Sequence, residues 1–600
     1  MLKKTLLPSI LLILGYGFWV SPDFKEIAAG VSIFLFGMLF LEDGFKAFTG
    51  GVLEKLLQRT TNRTWKSLLF GIVSTSIMQS SSLVSVITIS FISAGLVSLV
   101  AGIGIIFGAN IGTTTGAWLV AAFGLKVKIS AYAMPMLVFG IVLSFQKSKY
   151  LKGAGSVLAG LGFLFLGIHY MKEGFEAFKD SFDLASFAVE GYPGLFLFAA
   201  IGAAATVVMQ SSHATLVLIL TALAAGQITY ENGLALAIGA NVGTTITAII
   251  GSLSANVQGK RLAGAHLIFN FVTGIIAIAF IAQFVWAVDY ISNQVHIDAD
   301  NYTMKLAVFH TLFNLVGVIV MVPLIHRLAD YLFKVLPEQE RDLTKSLYLN
   351  DAVFEFPETV LKSLKKEVWH LFDSAFEIMA HGINLHRTEI LKSADLEKLI
   401  DEDREVHDFD LDELYARKVK VLYSAIIDFI SNAQAQIPSL YAEEMFRLRK
   451  ASAEIVECVK HIKHLRKNAT RYMLSDNEFI RDEYNQMRYR ISLILREIYR
   501  LRDEKDFDHA MAMLEMDELK AEIQLDHAQL DERISNILRD DQITPMMATS
   551  LLNDLNYVDE TARHLLDTAQ ALLVSHADLV AEAASEAVLD DDEIERASMA

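Results

Sequence analysis

Hydrophobic and polar positions along this chain change character near residue 334. Before it, apolar stretches fall near residues 5–20, 27–41, 67–97, 98–122, 129–146, 153–171, 194–228, 233–250, 262–287 and 303–325. About 20 helical residues span a hydrocarbon layer about 30 Å thick, so this spacing predicts an all-α, polytopic membrane protein. Stretches 67–97 and 194–228 differ from the others. Each carries a polar cluster in its middle and is long enough to enter and leave on one side as a re-entrant helical hairpin, a break tolerated where backbone is buried in protein or lines a cavity. Beyond 334, apolar residues recur at three- and four-residue spacing among charges. That pattern predicts a soluble helical bundle, clearest at 347–379, 411–432, 451–472, 480–501 and 552–573.

Charge sharpens the division. Residues 1–333 hold 19 basic and 15 acidic side chains, a balance of +4, whereas 334–600 carry −22. Residues 67–125, 191–230 and 232–259 have no formal charge, which a buried soluble helix needing a polar face does not explain. Cys458 is the only cysteine, which rules out a disulfide within the chain and a cysteine metal cluster. Segment 5–20 reads as an uncleaved first span, because Tyr16, Phe18 and Trp19 do not form a small-residue cleavage site.

The membrane half repeats itself. Gln79-Ser80-Ser81-Ser82 returns as Gln210-Ser211-Ser212-His213, and Gly108-Ala109-Asn110-Ile111-Gly112-Thr113-Thr114 as Gly239-Ala240-Asn241-Val242-Gly243-Thr244-Thr245, both 131 residues later. Gly44-Phe45-Lys46-Ala47-Phe48 returns as Gly174-Phe175-Glu176-Ala177-Phe178 after 130. Three ordered elements at nearly one offset indicate duplication. Counting crossings so that the basic clusters around Lys55 and Lys149 lie inside puts the net-negative stretch 172–190 outside, and only Lys126 and Lys128 sit on the side the rule disfavours. The count gives eight crossings and two hairpins entering from opposite faces, hence inverted repeats. The expected divisions are an N-terminal span (1–24), transport repeat 1 (25–146), transport repeat 2 with the final spans (147–333) and a cytoplasmic helical domain (334–600). The location expected is the cell inner membrane, with both termini cytoplasmic.

The polar clusters carry the candidate chemistry. The hydroxyls and amides of Gln79, Ser80, Ser81 and Ser82, and of Gln210, Ser211 and Ser212, supply donors for a small oxyanion and oxygens for a dehydrated sodium ion. A helix N-terminus at mid-membrane would add free N–H groups. Asn110, Thr113, Thr114, Asn241, Thr244 and Thr245 offer further side-chain oxygens beside glycines that permit close backbone approach. The competing reading is tight helix packing and back-bonding to carbonyls. Neither hairpin contains Asp, Glu, Lys or Arg, so neutral oxygens coordinating sodium account for coupling more easily than a carboxylate proton relay. His213 either titrates in the cycle, donates to the anion or has a packing role. His266/Asn270 and His310/Asn314, four apart on a helix face, read first as pairs made across the bundle.

The two Gln-Ser-Ser elements, each followed by Gly-Ala-Asn-x-Gly-Thr-Thr, resemble the bacterial sodium/phosphate cotransporter family, related to the type II cotransporters of animals, over about residues 25–330. The resemblance implies alternating-access transport of inorganic phosphate with sodium as the transported coupling ion, no cofactor and no enzymatic activity. It places the binding sites at Gln79–Ser82, Asn110, Thr113, Thr114, Gln210–Ser212, Asn241, Thr244 and Thr245. The family pattern has a third serine in both copies, and here His213 replaces the second. Ile455–Ile462 and 553–569 resemble PhoU domains, helical regulators of phosphate uptake, although no metal ligand set accompanies them. The expected partners are phosphate, sodium, membrane lipid and, through the tail, a second copy or a phosphate-signalling protein. The acidic balance argues against nucleic acid. A membrane phosphate sensor and a carrier of another small oxyanion are the alternatives.

Overall fold

A computed structural model describes residues 11–12, 14–49, 63–124, 129–181, 188–253, 255–337, 346–350, 353–354, 357–407, 410–503, 514–521 and 533–573. The chain divides into two compact units, Met1–Glu338 and Gln339–Ala600. Part of the expected first span, residues 1–10 and 13, lies outside the described residues, as do Lys126 and Lys128.

The first unit is all helix among its described residues. In order come α1 (Pro22–Thr49), α2 (Thr64–Met78), α3 (Ser81–Ser93), α4 (Leu99–Leu119), α5 (Ile129–Ser144), α6 (Lys149–Ser181) and α7 (Gly191–Met209). There follow α8 (Ser212–Ala224), α9 (Tyr230–Gly243), α10 (Thr245–Ser252), α11 (Val257–Ala279), α12 (Ile281–Gln294), α13 (Tyr302–Met321) and α14 (Ile325–Val335). Seven apolar helical stretches among the described residues are long enough to cross a membrane, which makes this a multi-pass membrane protein. The segments 67–97 and 194–228 are indeed broken helices. At 15 and 13 residues, α2 and α3 reach only about 22 and 20 Å at 1.5 Å per residue. The stretch expected at 262–287 is interrupted at Phe280, which stands between α11 and α12.

Glycines set the closest helix contacts. In α1, Gly30, Gly37 and Gly44 recur every seven residues and meet Gly167, Gly160 and Gly153 of α6 in reverse order, so the two helices run antiparallel. A Cβ at Gly30 would stand 2.8 Å from the Gly167 carbonyl oxygen, and one at Gly167 would stand 2.7 Å from that of Gly30. Small residues let apolar helices approach this closely where no hydrophobic force drives association within lipid.

The second unit packs α15 (Pro357–Gly382), α16 (Lys420–Gln434), α17 (Ala442–Met473), α18 (Glu478–Asp503) and α19 (Pro545–Leu573) around Phe372, Phe376, Ile462, Ile491 and Leu565. The helix expected from 347 begins instead at Pro357. Buried Glu367 explains the delay, because its carboxylate accepts from the backbone N–H groups of Leu347 (3.0 Å) and Tyr348 (2.8 Å) and so holds that segment out of a helix. Proline suits a first helical turn, having a fixed φ and no N–H to satisfy. Arg488 is wholly buried. It donates to Asp403 Oδ2 (2.6 Å), Ile383 O (2.9 Å), Ile400 O (3.3 Å), Asn384 O (3.4 Å) and Asn485 Oδ1 (3.2 Å), tying the loops after α15 to α18.

Candidate functional site

The Gln-Ser-Ser element is a helix break with a defined backbone. Gln79 ends α2 in the left-handed region (φ 52°, ψ 22°), and Gln210 ends α7 in the same way (φ 53°, ψ 21°). Each non-glycine residue held there costs about 1–2 kcal/mol, and the cost recurs in both copies. Ser80 and Ser211 then turn to extended backbone and cap the next helix, accepting from Leu83 N and Ala214 N, each at 3.2 Å. These caps use one acceptor of each serine, and the Ser211 hydroxyl donates to Met38 Sδ at 4.0 Å. Both breaks therefore expose the N-terminus of a helix, α3 or α8, where N–H groups and the helix dipole favour an anion. The duplication continues through Gly95 (φ 66°) and Gly226 (φ 67°), which turn the chain toward α4 and α9.

The two breaks come together. Thr247, on α10 of the second copy, donates to Ser82 Oγ of the first at 3.2 Å. His213, on α8, places Nδ1 3.3 Å from the Gln79 carbonyl oxygen. The Gln79 amide donates to Ser76 O (2.5 Å) and to Thr115 Oγ1 (3.0 Å), the latter on α4. Gln79, Ser80, Ser82 and Ser211 are half-buried, Ser81, Ser212 and His213 are buried, and Gln210 is exposed.

The second motif divides between packing and pairing. Asn110, Thr113, Thr114, Asn241, Thr244 and Thr245 are all buried. Asn110 donates to Ile106 O, Thr113 to Ala109 O and Thr114 to Ile111 O, all within α4, and Thr245 at the start of α10 donates back to Val242 O near the end of α9. Thr244 Oγ1 is buried with no hydrogen-bond partner. Asn241 pairs across the bundle, its Nδ2 donating to Asn314 Oδ1 (2.9 Å) while His310 Nε2 lies 3.2 Å from its Oδ1. Asn314 Nδ2 also returns to His310 O (2.8 Å), as Asn270 Nδ2 on α11 returns to His266 O (3.1 Å), so the α13 pair differs in its added contacts to Asn241. The glycines face neighbouring helices. A Cβ at Gly108 would overlap Leu68 O and one at Gly239 would overlap Ala199 O, positions again 131 apart. Their close approach is therefore to backbone.

Thr115, Gly116 and Thr247 join the breaks although the motifs did not mark them. The 131-residue offset carries that signal, because it pairs Gly116 with Thr247 as it pairs Ser82 with His213. Trp118 on α4 adds another contact, donating from Nε1 to Thr311 Oγ1 on α13 at 2.9 Å.

Residues 33–173 and 195–321 match the Na+/Pi-cotransporter family. Over these residues the membrane unit is similar to that family of phosphate transporters. Proteins named "Putative inorganic phosphate export protein YjbB" are similar to the chain. The one from Escherichia coli (strain K12) is 26% identical over 439 residues, 72% of this chain and 74% of its own length. That from Salmonella typhimurium is 25% identical over 437 residues, with the same coverage. The uncharacterized protein YqeW of Bacillus subtilis (strain 168) is 29% identical over 303 residues, 50% of this chain and 94% of its own. No solved structure matches. These similarities and the apolar helices support a membrane transporter of phosphate or a related small solute, a transporter class and not an enzyme. The family match ends at residue 321, before the C-terminal unit.

Proposed function

We propose that the membrane unit carries inorganic phosphate together with sodium by alternating access, at a site formed where the two helix breaks meet. The observation that carries this reading is the pair of cross-copy contacts, Thr247 to Ser82 and His213 to Gln79. They gather two helix N-termini and a cluster of neutral side-chain oxygens at one place. Phosphate is held by N–H and hydroxyl donors of α3 and α8. Sodium is coordinated by oxygens drawn from Gln79, Ser80, Ser81, Ser82, Asn110, Thr113 and Thr114, and from their counterparts Gln210, Ser211, Ser212, Asn241, Thr244 and Thr245. The shortness of α2 and α3 supports re-entrant hairpins. The antiparallel, reciprocal packing of α1 on α6 supports inverted repeats, the architecture that lets one site face alternate sides.

In this reading the transport repeats occupy 25–146 and 147–333 in the cell inner membrane, with both termini cytoplasmic. The acidic unit from 334, which resembles PhoU domains, adjusts transport. Its charge makes it a poor attractor of free phosphate. Net direction follows from gradients and stoichiometry, and the relatives' name speaks of export. The test is radiolabelled phosphate flux in proteoliposomes with sodium gradients imposed in each direction. Flux that reverses with the sodium gradient is expected. Flux indifferent to replacing sodium by potassium would refute the coupling.

A further inference from the structure

His213 stands where the first copy has Ser82, and Gly116 stands where the second has Thr247. These four residues form two equivalent contacts across the copies. In one, Thr247 donates to Ser82, hydroxyl to hydroxyl. In the other, the His213 ring rests against Gly116. A Cβ at Gly116 would overlap His213 Cε1 and stand 2.6 Å from its Nε2 and 2.8 Å from Gln79 Oε1. The larger side chain on α8 is thus matched by the smallest residue on α4. A hydroxyl pair has been exchanged for an imidazole and an absent side chain.

The exchange changes the chemistry offered to a ligand. Nδ1 of His213 lies 3.3 Å from the Gln79 carbonyl oxygen, which only accepts, so in this contact Nδ1 bears the hydrogen. A neutral ring then presents Nε2 as a lone pair, and that atom is buried with no hydrogen-bond partner. A buried unpaired acceptor is costly. It repels a bare oxyanion but accepts a hydrogen bond from one that carries O–H.

We propose that His213, given its place by Gly116, selects tetrahedral oxyanions bearing a hydroxyl. At neutral pH phosphate and arsenate keep an O–H, whereas sulfate and fluorophosphate have none. The inference rests on the phosphate reading above and assigns His213 the role of hydrogen-bond acceptor within it. Sites that hydrogen-bond a ligand hydroxyl reject analogues lacking it by on the order of 10⁴, so discrimination of at least about tenfold is measurable.

The experiment is sodium-driven uptake of radiolabelled phosphate into proteoliposomes, with arsenate, sulfate or fluorophosphate as competitor. In the wild type, arsenate competes and the other two fail to at tenfold excess. Gly116→Ala lowers flux at least about tenfold by displacing the ring, and adding His213→Ser restores part of it, a coupling expected only of side chains in contact. The double variant Gly116→Thr/His213→Ser, which copies the Ser82–Thr247 arrangement, carries phosphate but admits sulfate and fluorophosphate as competitors. Wild-type competition by sulfate and fluorophosphate equal to that by arsenate overturns the inference without any variant. So does a double variant that transports phosphate and still excludes both. Absence of phosphate flux in the wild type instead overturns the proposed function, and this inference with it.

Discussion

Gly37 and Gly160 meet backbone to backbone: a Cβ on either would lie 2.7 Å from the other's carbonyl oxygen. They are separate residues of α1 and α6, yet each makes the contact the other makes. Gly37 is the counterpart of Gly167 and Gly160 of Gly30 at the 130-residue offset, and Gly30 and Gly167 touch in turn. Reciprocity of this kind accords with the inverted repeats proposed above. The expected consequence is that Gly37→Leu or Gly160→Leu forces α1 from α6 and destabilises the protein by about 1–3 kcal/mol. Thermal unfolding in detergent would register this as a lowered midpoint, and an unchanged midpoint would deny the contact.

Gln79 combines a left-handed backbone with a side chain that reaches Thr115. Replacement by glycine relieves the backbone cost, whereas alanine retains it. If the amide serves binding, Gln79→Gly and Gln79→Ala both lower sodium-dependent phosphate flux at least about tenfold at equal membrane expression, and Gln210→Ala does likewise. Full activity of Gln79→Gly would assign the residue to the backbone turn alone.

Asn241 holds the final long span through His310 and Asn314. Asn241→Leu removes both partners and leaves buried polar groups unpaired, at about 1–3 kcal/mol. Asn110→Leu removes only a bond within its own helix and should cost less stability. Parallel thermal unfolding of the two variants tests the difference. Equal losses would contradict the distinction.

Asp554 in the C-terminal unit is buried and accepts from Tyr484 Oη (2.6 Å) and Asn468 Nδ2 (2.9 Å). Burial raises its pKa despite the two hydrogen bonds, which act the other way. A carboxyl whose folded pKa exceeds its unfolded value favours folding most below the unfolded value. It loses that contribution as pH rises through the folded one. Asp554→Asn should therefore flatten the fall in stability from the usual carboxylate range upward and leave the unit at least as stable at neutral pH. Hydrogen exchange of α18 and α19 in the full-length protein, followed against pH, would reveal it. An unchanged pH slope would contradict the assignment.

Arg488 donates to five acceptors while fully buried. Arg488→Met strands Asp403 and several carbonyls, and breaking a buried charged pair costs about 3–5 kcal/mol. Increased proteolysis of the C-terminal unit is the expected readout. Wild-type resistance would mean that the loops hold without it.

The amino-acid sequence alone determined the division between a membrane half and an acidic helical half, since long charge-free runs are favourable only away from water. It also determined the duplication and the two places where helices break. Gln79-Ser80 and Gln210-Ser211 carry local chemistry, a capping serine after the residue that leaves the helix, and local chemistry acts wherever the chain goes. The partners of the polar side chains were decided only by tertiary structure. Asn110 and Asn241 occupy the same motif at the same offset, yet one bonds its own helix and the other reaches α13. The glycines beside them, read from sequence as permitting close backbone approach, are met by carbonyls of α2 and α7. Spacing along a helix says which residues share a face. Which helix meets that face, and how closely, depends on packing among segments far apart in the chain, and that packing brought Gly116 beneath His213.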